Sequence, residues 1–300
     1  MAMPDFTYLR PGSLAEACAL ASQLGGDATF IAGGTELIPD FHRERESARQ
    51  LIALDRLSEL RGITVEQGEL RIGALTTVAE VAASVLVRDR LVALAAAARA
   101  IGSAQIRSLA TIGGNFCRAV ACADTPPAAV AGGARVRIIG VSGTREMAAE
   151  EFFLGPRRTV LAAGEVLAAI ALPAQPAGSG SSYQRFSRRK GASLAVAAVA
   201  ARVTLADGRI TGARIALGAV GPVPLLVVRA AAILEGERPS SALFAKAAAV
   251  CVDEALPITD VRGSADFRRE LVGVLARRAL EEASVRAGAV TSAGAAGGRK

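Results

Sequence analysis

The sequence predicts an α+β fold laid out in three consecutive regions, and three observations carry that expectation. Short apolar runs with strand character are interspersed with longer Ala- and Leu-rich runs of helical character across the 300 residues. Two short segments, "FIAGGTEL" (30–37) and "ATIGGNFC" (110–117), repeat one arrangement: an apolar approach, a glycine pair, then a small polar residue. The stretch "AQPAGSGSS" (174–182), rich in Gly, Ser, Pro and Ala, separates two parts of different pattern and reads as a linker. The expected regions are 1 to about 60 and about 61 to 175, together one unit of 1–175, then 180–287, with a disordered tail over 288–300.

Each element has a local reason. "DFTYLRPGS" (5–13) reads as a short strand and a turn, and Ser13 with Glu16 forms a capping box for a helix ending at Gly25–Gly26. "ATFIAGGTELIPD" (28–40) gives a short apolar strand, the first glycine pair and a helical turn. "RQLIALD" (49–55) reads as a buried strand, and "ITVEQGELRIGAL" (63–75) alternates around Gly68 as a hairpin. Thr77 and Glu80 make a second capping box, and the Ala-rich run 89–102 predicts one helix ending near Gly102. The second glycine segment shows neither strand alternation nor a helical stripe. "ARVRIIG" (134–140) is a strand, and "GEVLAAIALP" (164–173) a helix or a strand closing at Pro173. Beyond the linker, "AVAAVAARVTLADGRITGARIALGAV" (195–220) reads as strands joined by an Asp207–Gly208 turn, followed by helices over about 240–256 and 264–285.

Composition narrows the function. Hydrophobic residues make up 51% of the chain, enough for one large core or two ordinary ones. The net charge of +7 comes mostly from arginines spread along the chain, with two tyrosines and no tryptophan to stack on bases, so nucleic acid is not an expected partner. No run of 18 apolar residues free of charge occurs, so no membrane span is expected. The start "MAMPDFTYLR" has no apolar signal core, which leaves the cytoplasm as the default location. The only histidine, His42, reads as a solvated loop residue, and Cys18, Cys117, Cys122 and Cys251 form neither a disulfide framework nor a zinc motif. No metal site and no catalytic triad is expected.

The glycine pairs invite two readings. Glycine takes positive φ and lets backbone N–H groups face a ligand at contact distance, and successive N–H groups in such a turn form an anion nest. Two such loops meeting could grip a pyrophosphate; the plain alternative is two tight turns. Neither matches the GxGxxG fingerprint or the P-loop.

The pair "AGGTEL" and "IRSLATIGGN…ADTPPA", with "FTYLRPGSLAEA", "GEVLAAIALP", "YQRFSRRKGASLAVAAVAARV", "LGAVGPVPL" and "DVRGSADFRRELVGVLARRAL", resembles the FAD-binding subunit of molybdenum hydroxylases. That is the family of the carbon monoxide dehydrogenase medium chain and the xanthine dehydrogenase flavin segment. The likeness runs over nearly the whole chain. It implies a two-subdomain FAD-binding domain of the PCMH/VAO-like kind, then a C-terminal α+β domain of the carbon monoxide dehydrogenase flavoprotein type. It implies that Ile31, Ala32, Gly33, Gly34, Thr35, Glu36 and Leu37, with Thr111, Ile112, Gly113, Gly114 and Asn115, hold the FAD pyrophosphate. Asp124 matches an acidic position that helps fix the cofactor, Val166 and Leu167 apolar positions near the flavin ring, and Arg185 a basic position near it. From the residues alone, Asp124 also reads as the N-cap of a helix starting at Pro126, and Arg185 as a solvated strand charge. Departures fall around the flavin ring: Val120 and Ala121 stand where relatives carry Ser-Pro, and Ala192 and Ser193 where an acid often follows "RRKG". Cys117 and Cys122 read as small buried hydrophobes.

The function implied is an oxidoreductase: the FAD subunit of a heteromeric complex, such as a heterotrimer. A molybdopterin-binding large subunit would oxidise substrate, a [2Fe–2S] small subunit would carry electrons to FAD here, and NAD or another acceptor would receive them. The alternatives are a free-standing FAD-dependent oxidoreductase and a flavin-less assembly subunit.

Overall fold

A computed structural model describes residues 5–297, with side chains described through residue 289. Among the described residues three larger sheets and one two-stranded ribbon, Phe153–Gly155 with Arg158–Thr159, carry the chain. The first is parallel, in the order Thr7–Leu9, Gln50–Ala53, Ala28–Ile31. Its central strand is buried, with Leu51 and Ile52 at zero exposure, as a strand covered on both faces requires. Helix Leu14–Leu24 crosses between the outer strands. Ser13 accepts from the Glu16 N–H, but the Glu16 carboxylate reaches one residue further back, to the N–H of Gly12, so the capping box is only half made.

The second sheet is antiparallel, in the order Ile63–Glu66, Glu69–Gly73, Val166–Leu172, Arg135–Gly140, Gly143–Ala148. Its middle strand, which the sequence left open between helix and strand, is buried at every position. Val166 and Ala168 face the core shared with helix Leu14–Leu24. Leu167 faces the opposite core, and a register shift between Leu167 and Ala169 then turns Ile170 and Leu172 to that same side. This strand therefore ties the first two regions together.

The third sheet is antiparallel, Ser179–Ser187, Ala195–Ala206, Arg209–Gly218 and Leu225–Leu226, and packs against helices Val228–Leu234, Ser241–Glu254 and Ala265–Gly297. Asp207 (φ 51°) and Gly208 (φ 72°) make the expected hairpin turn.

Three expectations are corrected. The linker 174–182 is not a spacer through its length. Ser179 begins a nine-residue strand, Ser181 and Ser182 are buried, and a Cβ on Gly180 would lie 2.2 Å from the Ala283 carbonyl oxygen. Small residues there serve close helix–sheet packing, which composition cannot distinguish from flexibility. The Ala-rich run forms two helices, Val85–Arg90 and Val92–Ala100, because buried Leu91 is extended (φ −152°, ψ 87°). The segment Ile112–Cys117 is helical straight across Gly113 and Gly114. Helices Ala104–Leu109 and Val228–Leu234 and strand Gly143–Ala148 had no expectation at all. Of the tail 288–300, residues through 297 continue the helix Ala265–Gly297, and 298–300 lie outside the described residues.

Candidate functional site

The first glycine pair follows strand Ala28–Ile31. A Cβ on Gly33 would sit 1.9 Å from the Leu109 carbonyl oxygen, so the chain just before the second motif presses directly on the first. Gly34 has φ +68°, a conformation that costs an L-residue about 1–2 kcal/mol. Helix Leu37–His42 starts immediately after, and no side chain caps it. The N–H groups of Gly33, Gly34, Thr35 and Glu36 donate to no protein acceptor among the described residues. Consecutive unpaired donors at a turn are an anion-binding arrangement.

The second pair behaves differently. Thr111 caps helix Ile112–Cys117, its hydroxyl accepting from the Gly114 N–H at 3.0 Å. Ile112 N–H donates to Thr76, Gly113 N–H to Ala74 at 2.8 Å, and Asn115 N–H to the Thr111 carbonyl. A Cβ on Gly113 would lie 2.6 Å from the Ala74 Cβ. Gly113 is therefore small to let its helix touch the neighbouring turn, and this segment is no open nest.

Between the two motifs lies a cleft of about 710 Å³. Such a volume suits a ligand of small-molecule or cofactor size. Of the expected residues, Ala32, Gly33, Gly34, Thr35, Glu36, Leu37, Thr111, Gly113, Gly114, Asn115, Asp124, Val166 and Leu167 line it. Three do not. Ile31 packs in a small core with Phe41 and Leu51, Ile112 is wholly buried in the second region's core, and Arg185 lies behind the wall. The two isoleucines point into cores because each stands at the edge of its motif, Ile31 as the last residue of a strand and Ile112 as the first of a helix. Leu54, Leu60, Leu75, Val166 and Leu167 provide an apolar wall.

Charge gathers near the unpaired N–H groups. Arg118 and Arg157, neither expected from the sequence, both line the cleft. They share one oxygen of the buried Asp40 carboxylate, at 2.5 and 2.7 Å, and Arg118 also pairs with Glu36 at 3.2 Å. Burial alone would raise the Asp40 carboxyl, but the Arg118 hydrogen bond and the two guanidinium charges hold it below its ordinary value. Arg157 follows Pro156 at the tip of a short hairpin with φ +61°, a left-handed non-glycine conformation of the kind that clusters at functional sites. The one available sequence signal was Arg118 itself, three residues past Asn115; a strained turn cannot be seen in "GPRR".

Asp124 stands before helix Thr125–Ala131 but its carboxylate does not cap it. It accepts from the Tyr183 hydroxyl at 2.6 Å and from Arg185 Nη1 at 3.0 and 3.1 Å. Burial raises its carboxyl above the ordinary value, against the opposing effect of Arg185. Arg185 is thus a partly buried ion-pair partner rather than a solvated strand charge, with 14% side-chain exposure. The cysteines also depart from expectation. Cys18 and Cys251 are buried in separate cores, whereas Cys117 is exposed and Cys122 half-buried, both on the cleft. The protein packed around Cys117 still pushes its thiol up to about 12 through desolvation.

Comparison with known proteins bears on this site. Residues 4–175 match the FAD binding domain in molybdopterin dehydrogenase, and residues 181–283 the CO dehydrogenase flavoprotein C-terminal domain. The chain is 34% identical over 283 residues to the carbon monoxide dehydrogenase medium chain of Afipia carboxidovorans, covering 94% of this chain and 98% of that one. It is 30% identical to the xanthine dehydrogenase FAD-binding subunit of Escherichia coli O157:H7, covering 95% and 99%. Among solved structures, a carbon monoxide dehydrogenase from Hydrogenophaga pseudoflava superposes with a TM-score of 0.92 at 35% identity, over 95% of this chain and 99% of that one. A quinoline 2-oxidoreductase from Pseudomonas putida 86 does so with 0.90 at 30%, over 96% and 99%. The residues of the cleft fit FAD: unpaired N–H groups and two guanidiniums suit its pyrophosphate, and the apolar wall suits its ring.

Proposed function

The chain belongs to the FAD-binding medium subunits of the molybdenum hydroxylases, and from that premise we propose that it carries electrons from a partner's iron–sulfur clusters to an external acceptor. FAD, when bound, converts between one-electron and two-electron transfer. The chain's own residues orient and shield it. Gly33 to Glu36 would hold the pyrophosphate through their N–H groups, and Arg118 and Arg157 would offset its charge. Val166 and Leu167 would contribute to an apolar wall for the flavin ring that keeps water from it, and Thr35, Asn115 and Asp124 would border the cofactor. The observation that carries this reading is the coincidence, in one cleft, of unpaired amide donors, two arginines and an apolar wall.

The four cysteines lie in three separate places, two of them in different cores, which supports assigning the [2Fe–2S] clusters to a small partner subunit and the molybdopterin centre to a large one. The free cysteines suit a cytoplasmic setting. No helix among the described residues is long and apolar enough to cross a membrane. We take 1–175 and 180–287 as the two working units, in line with the two matched family regions.

Reconstitution tests the assignment. FAD-loaded chain mixed with a redox dye and candidate substrates is expected to show no substrate-dependent dye reduction, and to show it once both partner subunits are added. Reduction by this chain alone would establish a free-standing oxidoreductase instead. A chain that takes up no FAD at all would make it an assembly subunit.

A further inference from the structure

A second cavity, of about 650 Å³, lies behind the cofactor cleft. The two share Gly102, Ser103 and Ala192 in their linings, which form the partition between them, and Arg185 borders the second cavity but not the first. Arg185 projects from strand Ser179–Ser187 into this partition. Its Nη1 donates to the Ala100 carbonyl oxygen at 2.8 Å and to the Asp124 carboxylate, and its Nη2 donates to the Ser193 carbonyl oxygen. These three acceptors belong to, or adjoin, three different stretches of the cleft wall: Ile101 to Ser103, Cys122 to Asp124, and Ala192 to Leu194.

We propose that Arg185 is a positioning residue that pins these three segments of the cofactor cleft together from behind, without touching the cofactor. The inference rests on the FAD-binding reading of the cleft. Three physical features support it. A planar guanidinium offers five fixed N–H donors, so it can serve three acceptors from different segments at once, which an ammonium on a flexible stem does less well. The ion pair is buried at its Asp124 end and largely covered at its Arg185 end, with side-chain exposures of 7% and 14%, which limits how far either partner can reorganise towards water. The loop 188–192 is exposed throughout and is not part of a helix or strand, and its cleft end is held by two contacts, the Ala192 N–H to the Gly102 carbonyl oxygen at 3.3 Å and Arg185 to Ser193. The same arginine joins the second sheet's unit to the third sheet, since Asp124 precedes helix Thr125–Ala131 and Arg185 belongs to Ser179–Ser187. Tyr183, two residues before Arg185 on the same face of that strand, holds the other side of Asp124.

The cavity behind adds a consequence. It is bordered by Arg99, Arg107, Arg185 and Lys190 and by no acidic side chain. Shortening Arg185 would join this cationic cavity to the cofactor cleft and admit small anions to it.

The test compares the full chain with Arg185→Lys and Arg185→Gln. Hydrogen exchange of the FAD-free proteins reads the pin without any cofactor. Faster exchange at 100–103 and 192–194 is expected in both variants, with the third sheet unchanged. With FAD bound, the dissociation rate is expected to rise about tenfold or more in Arg185→Gln, the scale of unpairing a buried charge. Arg185→Lys should recover only part of that, because charge survives and the fork does not. Iodide should quench the bound flavin several-fold more strongly in Arg185→Gln than in the native chain. Native exchange at both segments in the two variants would overturn the proposal, as would full recovery by lysine. Failure of the native chain to bind FAD would instead remove the cofactor reading and leave the exchange result standing.

Discussion

Gly33 and Leu109 touch backbone to backbone: a Cβ at Gly33 would overlap the Leu109 carbonyl oxygen at 1.9 Å. This contact brings the first glycine motif against the residues leading into the second, and the cleft opens beside it. It assigns different work to the glycines. Gly33 and Gly113 are small because protein passes close by, Gly34 because of its positive φ, and Gly114 because a Cβ would meet the capping hydroxyl of Thr111 at 2.9 Å.

Gly33→Ala should therefore force the two motifs apart. A loss of about 1–3 kcal/mol is expected, the usual scale of overpacking, together with most of the bound flavin. Gly114→Ala should be milder: its helix can form, and the cost is a disturbed cap worth about 1 kcal/mol. Urea unfolding and flavin content of the two purified variants provide the comparison. Equal stability and equal flavin in Gly33→Ala would show that the motifs do not meet as described.

How far the sequence led can be judged at the same residues. Both glycine motifs were legible as local patterns, whereas Asp124 and the apolar pair Val166–Leu167 were implied only by the family resemblance; all reach the cleft. The helical state of Gly113–Gly114 was not, since glycines carry no periodicity and this helix owes its start to the Thr111 cap and to long-range bonds to Ala74 and Thr76. Arg118 and Arg157 were missed because their placement depends on Asp40, more than 70 residues from the nearer of them in the chain. The linker misled for a related reason: Gly and Ser can mean flexibility or close packing, and Gly180 against Ala283 means the latter.

Stability should carry an acid limb through Asp40. Its carboxyl is held below the ordinary value in the fold, so its contribution is present above the unfolded-state value and is lost as pH falls through the folded one. Asp40→Asn is expected to be about 1–3 kcal/mol less stable near neutrality, below the full scale of a buried pair because Arg157 reaches solvent. The gap should close in acid. Urea midpoints at about pH 7 and about pH 3 read this, with the neutral-to-acid slope as the observable. A variant with the native slope would show that Asp40 is not the group responsible.

Limited trypsin treatment should cut first at Arg188, Arg189 or Lys190, which are exposed in a loop that is neither helix nor strand. Because Ala192 to Leu194 line the cleft, added FAD should slow cleavage there more than at Arg43 and Arg45, which are exposed elsewhere. A protease of broad specificity should leave 179–187 intact. Early cutting within that strand would contradict its burial against helix Ala265–Gly297.

Cys117 should be slow towards iodoacetamide despite its exposure. A thiol pushed up to about 12 holds on the order of a thousandfold less thiolate at mildly alkaline pH than an ordinary cysteine. Mass-resolved alkylation rates read the site directly, and a rate typical of a free surface thiol would show that the cleft does not desolvate it.

The central claim is that the pyrophosphate of FAD rests on the unpaired amides of the first glycine motif, flanked by Arg118 and Arg157. A crystal structure of the chain with FAD tests it most directly. The expected result places pyrophosphate oxygens within hydrogen-bond distance of the N–H groups of Gly33 to Glu36, with at least one of the two guanidiniums turned towards them. A pyrophosphate lying away from those amides, or held only by helix Ile112–Cys117, would contradict it.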